Sequence, residues 1–156
     1  MTYIPNPMGV RVALLGLKVD RTTAALPQTT TGTIFTVSGG RVVITSLVGE
    51  VTTVLGSGAN SLTLGYAPTV GVGDATVLGR GAVSLLTAPV GTHIAANPGG
   101  DPFVDLATQA GVALPAFGLL VDVGSVTVTT TGSVTGSVKW SITYIPFEDA
   151  GVVAAA

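Results

Sequence analysis

The sequence predicts an all-β protein: an antiparallel sandwich, jelly-roll-like, with an extended N-terminal arm and at most one short helix. Three observations carry that prediction. From Val134 to Tyr144 every second residue (Val134, Gly136, Val138, Trp140, Ile142, Tyr144) is apolar or glycine, and the residues between (Thr135, Ser137, Lys139, Ser141, Thr143) are polar. A period of two marks a strand with one face in a core and one toward water. The same idiom fills the chain, which holds 24 valines, 23 threonines and 22 glycines among 156 residues. Turn signals recur at roughly 8–12-residue spacing, as in sandwiches and barrels.

The elements follow in order. Residues 1–30 read as an arm or an edge strand, with Pro5, Pro7 and Pro27 bracketing the small apolar stretch Val10 to Leu17. Two readings stand side by side. One is a first edge strand plus a loop; the other is an arm that crosses to a neighbour, where Tyr3, Ile4 and Met8 find burial. The β-sandwich domain spans 31–147. Thr33-Ile34-Phe35-Thr36-Val37 is β-branched and aromatic, which suits a pleated surface. Ser38-Gly39-Gly40 reads as a hairpin turn, because Gly-Gly supplies positive φ without a steric cost. Arg41 to Val48 is the next strand, with Gly49 a candidate bulge before Glu50 to Leu55. Short strands follow at Ser61–Tyr66, Ala75–Leu78 and Ala82–Thr87.

Two readings stand for the next segment: a short helix capped by Asp101, with Pro102 at its first position and Gly111 as its stop, or a long ordered loop, which Gly99-Gly100 and Pro115 also suit. Strands then resume at Phe117–Val123, Val126–Thr131 and Val134–Tyr144. Residues 148–156 form a C-terminal tail. The expected core holds Phe35, Val42, Ile44, Leu64, Leu119, Val121, Val138, Trp140, Ile142 and Tyr144.

Composition narrows the function. Only 14 residues are charged, or 9%, against about 25% in an ordinary soluble protein. Folded-monomer scaling gives roughly 7,000 Å² of surface at this mass, on the order of 500 Å² per charge. Ordinary monomers keep contiguous apolar patches to a few hundred Å². Part of this exterior is therefore expected to be buried against another chain.

The net charge is −2, and the six basic residues are scattered. They form no stripe that could track phosphates, so nucleic acid is not an expected partner. A membrane partner is not expected either. The N-terminus lacks a basic region and has early prolines, unlike a leader. The long charge-free run 51–73 is broken by glycines and Pro68. Eight aromatics are too scattered for the girdles of a membrane barrel.

Chemistry finds little purchase. The absence of cysteine removes disulfides and thiolate sites. His93, the only histidine, has no visible triad or metal partners. Asp101 with Asp105, and Glu148 with Asp149, are the available carboxylate pairs. They read as a cap and a solvated turn rather than acid–base machinery. Asp74, Asp101 and Asp122 beside glycines show no calcium-loop spacing. No glycine-rich stretch carries the lysine of a phosphate loop. Trp140 and Tyr144 could form a sugar platform, but their shared face with Val138 and Ile142 reads as core. The expectation is a non-enzyme with no catalytic residue, cofactor or metal.

Two stretches, Thr31 to Thr53 and Thr135 to Ala155, carry a resemblance. Thr31-Gly32-Thr33-Ile34-Phe35-Thr36-Val37-Ser38-Gly39-Gly40-Arg41-Val42 and Thr135-Gly136-Ser137-Val138-Lys139-Trp140-Ser141-Ile142-Thr143-Tyr144-Ile145-Pro146 resemble small β-rich decoration (cement) and minor head proteins of tailed bacteriophages. The resemblance covers about a third of the chain and contains no catalytic motif. It implies a virion protein, made in the host cytoplasm, that binds outside the major capsid protein shell as a homotrimer. It transfers no functional residue. The contacts expected from the residues themselves are Tyr3, Ile4, Pro5 and Met8 on the arm and Val152 and Val153 on the tail. The alternative is a carbohydrate- or receptor-binding module of a phage head fibre or tail.

Overall fold

Alternation becomes burial along the longest strands. A computed structural model describes residues 16–56, 61–69, 76–78, 83–85, 87–96, 103–105 and 118–156. Its strands are β1 (Leu17–Asp20), β2 (Ala24–Ala25), β3 (Thr31–Ser38), β4 (Val42–Thr53), β5 (Ser61–Pro68), β6 (Thr76–Val77), β7 (Val83–Ser84), β8 (His93–Ala95), β9 (Phe103–Asp105), β10 (Leu119–Val121), β11 (Gly124–Thr130), β12 (Ser137–Pro146) and β13 (Val152–Ala155). Strand β12 buries Val138, Trp140, Ile142 and Tyr144 and turns the residues between them outward. Strand β11 does the same with Val126 and Val128.

All pairings are antiparallel and build two sheets that pack face to face. In the first, β12 and β4 form the central pair. Strands β1 and β2 flank β12, while β8 and β10 flank β4 with β9 outside β8. The second runs β13-β3-β11-β5, with β6 and β7 along the far side of β5. The fold is thus the all-β sandwich expected from the sequence. Between the sheets lie Phe35, Val37, Leu47, Leu62, Leu64, Val138, Trp140 and Ile142, all fully buried. Of the expected core residues only Leu119 stays partly exposed, packed against the cluster's rim.

Strands β3, β4 and β5 alternate between the sheets, and β10 to β13 do so again. Ser38-Gly39-Gly40 is therefore a corner and not the hairpin turn expected, since β3 and β4 belong to different sheets. Gly39 supplies φ +75° there, and its missing side chain lets Ala150 approach. The corner between β12 and β13 is tied to it. Glu148 accepts from the Arg41 backbone N–H (2.9 Å) and from Arg41 Nε (2.8 Å), while Phe147 N–H donates to the Arg41 carbonyl (3.0 Å). At the opposite end Gly56 N–H donates to Thr135 O (3.1 Å), joining two further corners.

The expected bulge at Gly49 is displaced. Gly49 sits directly opposite Trp140, and a Cβ there would lie 2.6 Å from the indole Cζ3. The glycine makes room for the ring. The register instead slips at Thr45 and Thr52 of β4, each an extra residue facing β12. Both extra hydroxyls are used: Thr45 Oγ1 donates to Thr143 Oγ1 (2.9 Å) and Thr52 Oγ1 to the Ser137 carbonyl (3.2 Å). A third slip, at Ile34 of β3, turns both Ile34 and Phe35 into the core.

Two segments differ from the sequence reading. The helix expected from Asp101 is not formed at Phe103–Asp105, which is β9 and pairs with β8. Its aromatic and β-branched residues suit an edge strand, and β8 offers free backbone groups to pair with. Asp101 and the rest of that segment lie outside the described residues. The tail contains β13, which adds to β3 through the register Val152↔Ser38 to Ala155↔Phe35. On the N-terminal side, 17–20 forms β1 beside β12.

Candidate interaction surface

The arm contacts Tyr3, Ile4, Pro5 and Met8 lie outside the described residues. The two tail valines part company. Val152 is exposed, whereas Val153 is 6% exposed and belongs to the core, because successive residues of β13 face opposite sides. Val153 is thus a packing residue and offers no outward contact.

The outer face of the first sheet is graded along its strands. At one end, β12, β4 and β8 place Lys139, Glu50 and His93 on one cross-strand rung, and the register continues to position 105 on β9. The pairing thus gives His93 neighbours that chain spacing does not reveal. The middle is a hydroxyl zone. Thr143 there bonds Thr45 and Ser46, and Ser141 donates to Asp20 Oδ1 (2.5 Å). Asp20 also holds Lys18 (2.9 Å), and these two partners, Lys18 first, draw its carboxyl below the usual range.

At the other end the face is apolar. Leu120 of β10, Val43 of β4 and Ile145 of β12 are consecutive partners across the sheet. Leu120 is 47% exposed and Ile145 38%. Phe147, 56% exposed, follows just beyond, under the Arg41 guanidinium at 5.0 Å from its ring centre. Two exposed carboxylates, Asp122 and Asp149, lie at this rim with the Arg41–Glu148 pair. Glu148 holds Arg41, and hydrogen bonds from the Arg41 backbone and side chain lower its carboxyl pKa. The end therefore presents apolar area bordered by the Arg41–Glu148 pair and by the Asp122 and Asp149 carboxylates.

Sequence reading missed this rung, although one signal was visible. The polar phase of β12 runs Ser137, Lys139, Ser141, Thr143 and then breaks at Ile145. An apolar residue in the outward phase of a strand has no core to enter.

Other sites are weaker. Trp140 and Tyr144 face the core at 1% and 5% exposure, so they form no open sugar platform. Among the described residues no group of three metal-ligating side chains occurs. Among them, too, no helix is long and apolar enough to cross a membrane. Tyr66 donates its hydroxyl to the Asp122 carbonyl, and burial, followed by the Asp122 charge, pushes its pKa up to about 12. No family model, curated protein or solved structure matches this chain.

Proposed function

We propose that this protein is a non-enzymatic virion component, a capsid decoration or minor head protein that binds and stabilises the outside of a major capsid shell as a homotrimer. The observation that carries the docking role is the outward rung Leu120–Val43–Ile145 with Phe147 beyond it. The identity of the partner rests on the resemblance of the Thr31–Thr53 and Thr135–Ala155 stretches to phage head proteins.

The physical case concerns salt and geometry. Apolar contact at roughly 25 cal/mol per Å² does not weaken with ionic strength, unlike a charge-based contact. A chain with 14 charges has little else to offer a partner. A contact of ordinary size removes about 800 Å² per partner from water, more than this rung alone supplies. The docking surface therefore extends into the hydroxyl zone beside it. A sandwich with stapled corners holds such a face rigid, which limits the ordering cost of association.

The test uses heads of a tailed phage that encodes the chain. Heads lacking the protein lose integrity at a lower temperature than complete heads, and adding purified protein restores them. Light scattering gives three times the 15.4 kDa chain mass for the free protein. Heads of unchanged heat resistance, with none of the protein bound, would contradict the proposal.

A further inference from the structure

Charge is divided unequally between the two sheets. Among the described residues, the strands of the first sheet carry Lys18, Asp20, Glu50 and Lys139, and position 105 on β9 is an aspartate. The strands of the second sheet, β3, β5, β6, β7, β11 and β13, hold no charged residue. About a quarter of the residues of an average soluble protein are charged, and they gather on the faces that meet water.

The outer face of the second sheet is built of short side chains. Across β3, β11 and β5 the register sets Thr33–Thr127–Gly65 and Thr31–Thr129–Thr63 side by side. Their neighbours along β11 and β5, Val126, Val128, Leu62 and Leu64, are buried, so these positions face outward. Thr31 and Thr129 share a hydrogen bond between their hydroxyls (2.7 Å). Part of the hydrogen-bonding capacity of the face is thus met within the sheet, which lowers the cost of removing it from water.

We propose that this face is the surface through which copies of the chain associate, its occupant being the same face of a sister copy. Like charges set opposite one another oppose contact, and this face has none to set. Its short side chains let sheets approach to about the 10 Å of packed layers. The order β13-β3-β11-β5-β6 gives five strand positions. At about 4.8 Å apart, with about seven residues of about 3.3 Å each, they cover a flat footprint on the order of 500 Å². Pleated side chains raise the accessible area above that, toward the about 800 Å² that each partner contributes to an ordinary contact. The Leu120–Val43–Ile145 rung lies on the other sheet, on the opposite side of the sandwich. Association through one face therefore leaves the other open to a shell. The number of copies, three, rests on the proposed function; the contact itself does not.

Light scattering on the full chain, native and with Thr127→Lys or Thr33→Lys, tests the contact. Thermal melts check that each variant folds. The native protein is expected at three times the 15.4 kDa chain mass. Each lysine variant is expected at the mass of one chain at the same concentration, while Thr127→Ser keeps the native mass. Leu120→Asp/Ile145→Asp keeps it too, because its changes lie on the other sheet. The chain has no cysteine, so a single thiol gives a second measurement if the lysine variants do not fold. The thiol of the Thr127→Cys variant is expected to be shielded from a thiol reagent, and that of Leu120→Cys to react freely. A native chain of single mass, a folded lysine variant of native mass, or equal reaction of the two thiols overturns the inference. A native mass of two chains, split by both lysines, supports the contact and contradicts the trimer. A monomer that still binds heads removes this contact and leaves the shell contact standing, and an assembly split by lysine that binds no head does the reverse.

Discussion

Gly49 and Trp140 show how one absent side chain sets the largest one. Trp140 is 1% exposed and rests on the backbone of Gly49, its direct partner across the sheet. Cores are close-packed, so added methyl groups must displace something. Gly49→Val is expected to cost about 2–3 kcal/mol by overpacking. That corresponds to a fall of roughly 2–4 °C in Tm per kcal/mol for a chain of this size. Differential scanning calorimetry reads it, and an unchanged Tm would mean the ring does not depend on this glycine. Gln28 is the polar counterpart, since one amide satisfies both backbone groups of Val134. Gln28→Ala leaves them without that partner and is expected to cost about 1–3 kcal/mol by denaturant titration.

Most of the core was legible in residue type, because Val138, Trp140, Ile142 and Tyr144 announce their face by alternation. The special positions were not. Turn preference assigned Gly39 to a hairpin, yet local chemistry cannot tell a return along one sheet from a corner to the other. Gly49 looked like a bulge because nothing in its neighbourhood reveals that an indole arrives from β12, some ninety residues away along the chain.

At the scale of the element, edges and corners decide behaviour. Strand β13 was read only as a tail, since Val152-Val153-Ala154-Ala155 is too short and too weakly patterned to declare a face. Its pairing with β3 gives the two valines opposite fates. Val153→Asp is expected to cost about 3 kcal/mol or more by burying an unpaired charge, while Val152→Asp stays within about 0.5 kcal/mol. Urea unfolding of the two variants compares them directly, and equal effects would mean that β13 is not seated. Segment 103–105 carried a helix-start signal, but β8 offered a backbone ladder that local capping could not outweigh.

Strand and corner side chains also set the pH response. Hydrogen bonds lower the folded-state carboxyl pKa of Asp20 and Glu148 below the unfolded value. Their contribution is present above the ordinary carboxylate range near pH 4 and is lost as pH falls through the lower folded values. Tyr66 works in the opposite sense. Its folded pKa of about 12 lies above the ordinary 10.0. Its contribution is whole below the unfolded value and is lost as pH rises toward the folded one. Tm is therefore expected to hold through the neutral range and fall at both extremes. Tyr66→Phe removes its part of the alkaline fall, and an identical alkaline limb in that variant would contradict the assignment.

The described residues form a sandwich in a chain with very few charges, and the two ends of the first sheet's outer face differ in kind. One end of the first sheet carries Lys139, Glu50 and His93, and the other exposes Leu120, Ile145 and Phe147. Composition indicates an exterior poor in charge. It could not place the exposed apolar rung, which is assembled from three strands distant in sequence. The contacts read from the chain's ends were guided by apolar residues near termini, and Val153 shows the weakness of that guide, since an apolar residue near a terminus can just as well complete the core.

The central claim is that this apolar end docks on a capsid shell. Cosedimentation with phage heads, comparing the native chain with the Leu120→Asp/Ile145→Asp double variant, tests it most directly. Both positions are exposed, so the variant is expected to keep the native melting profile. The account predicts saturable binding of the native protein and a loss of at least tenfold in the variant, about 1.4 kcal/mol or more. Equal binding of the two proteins, or no binding of either, would contradict it.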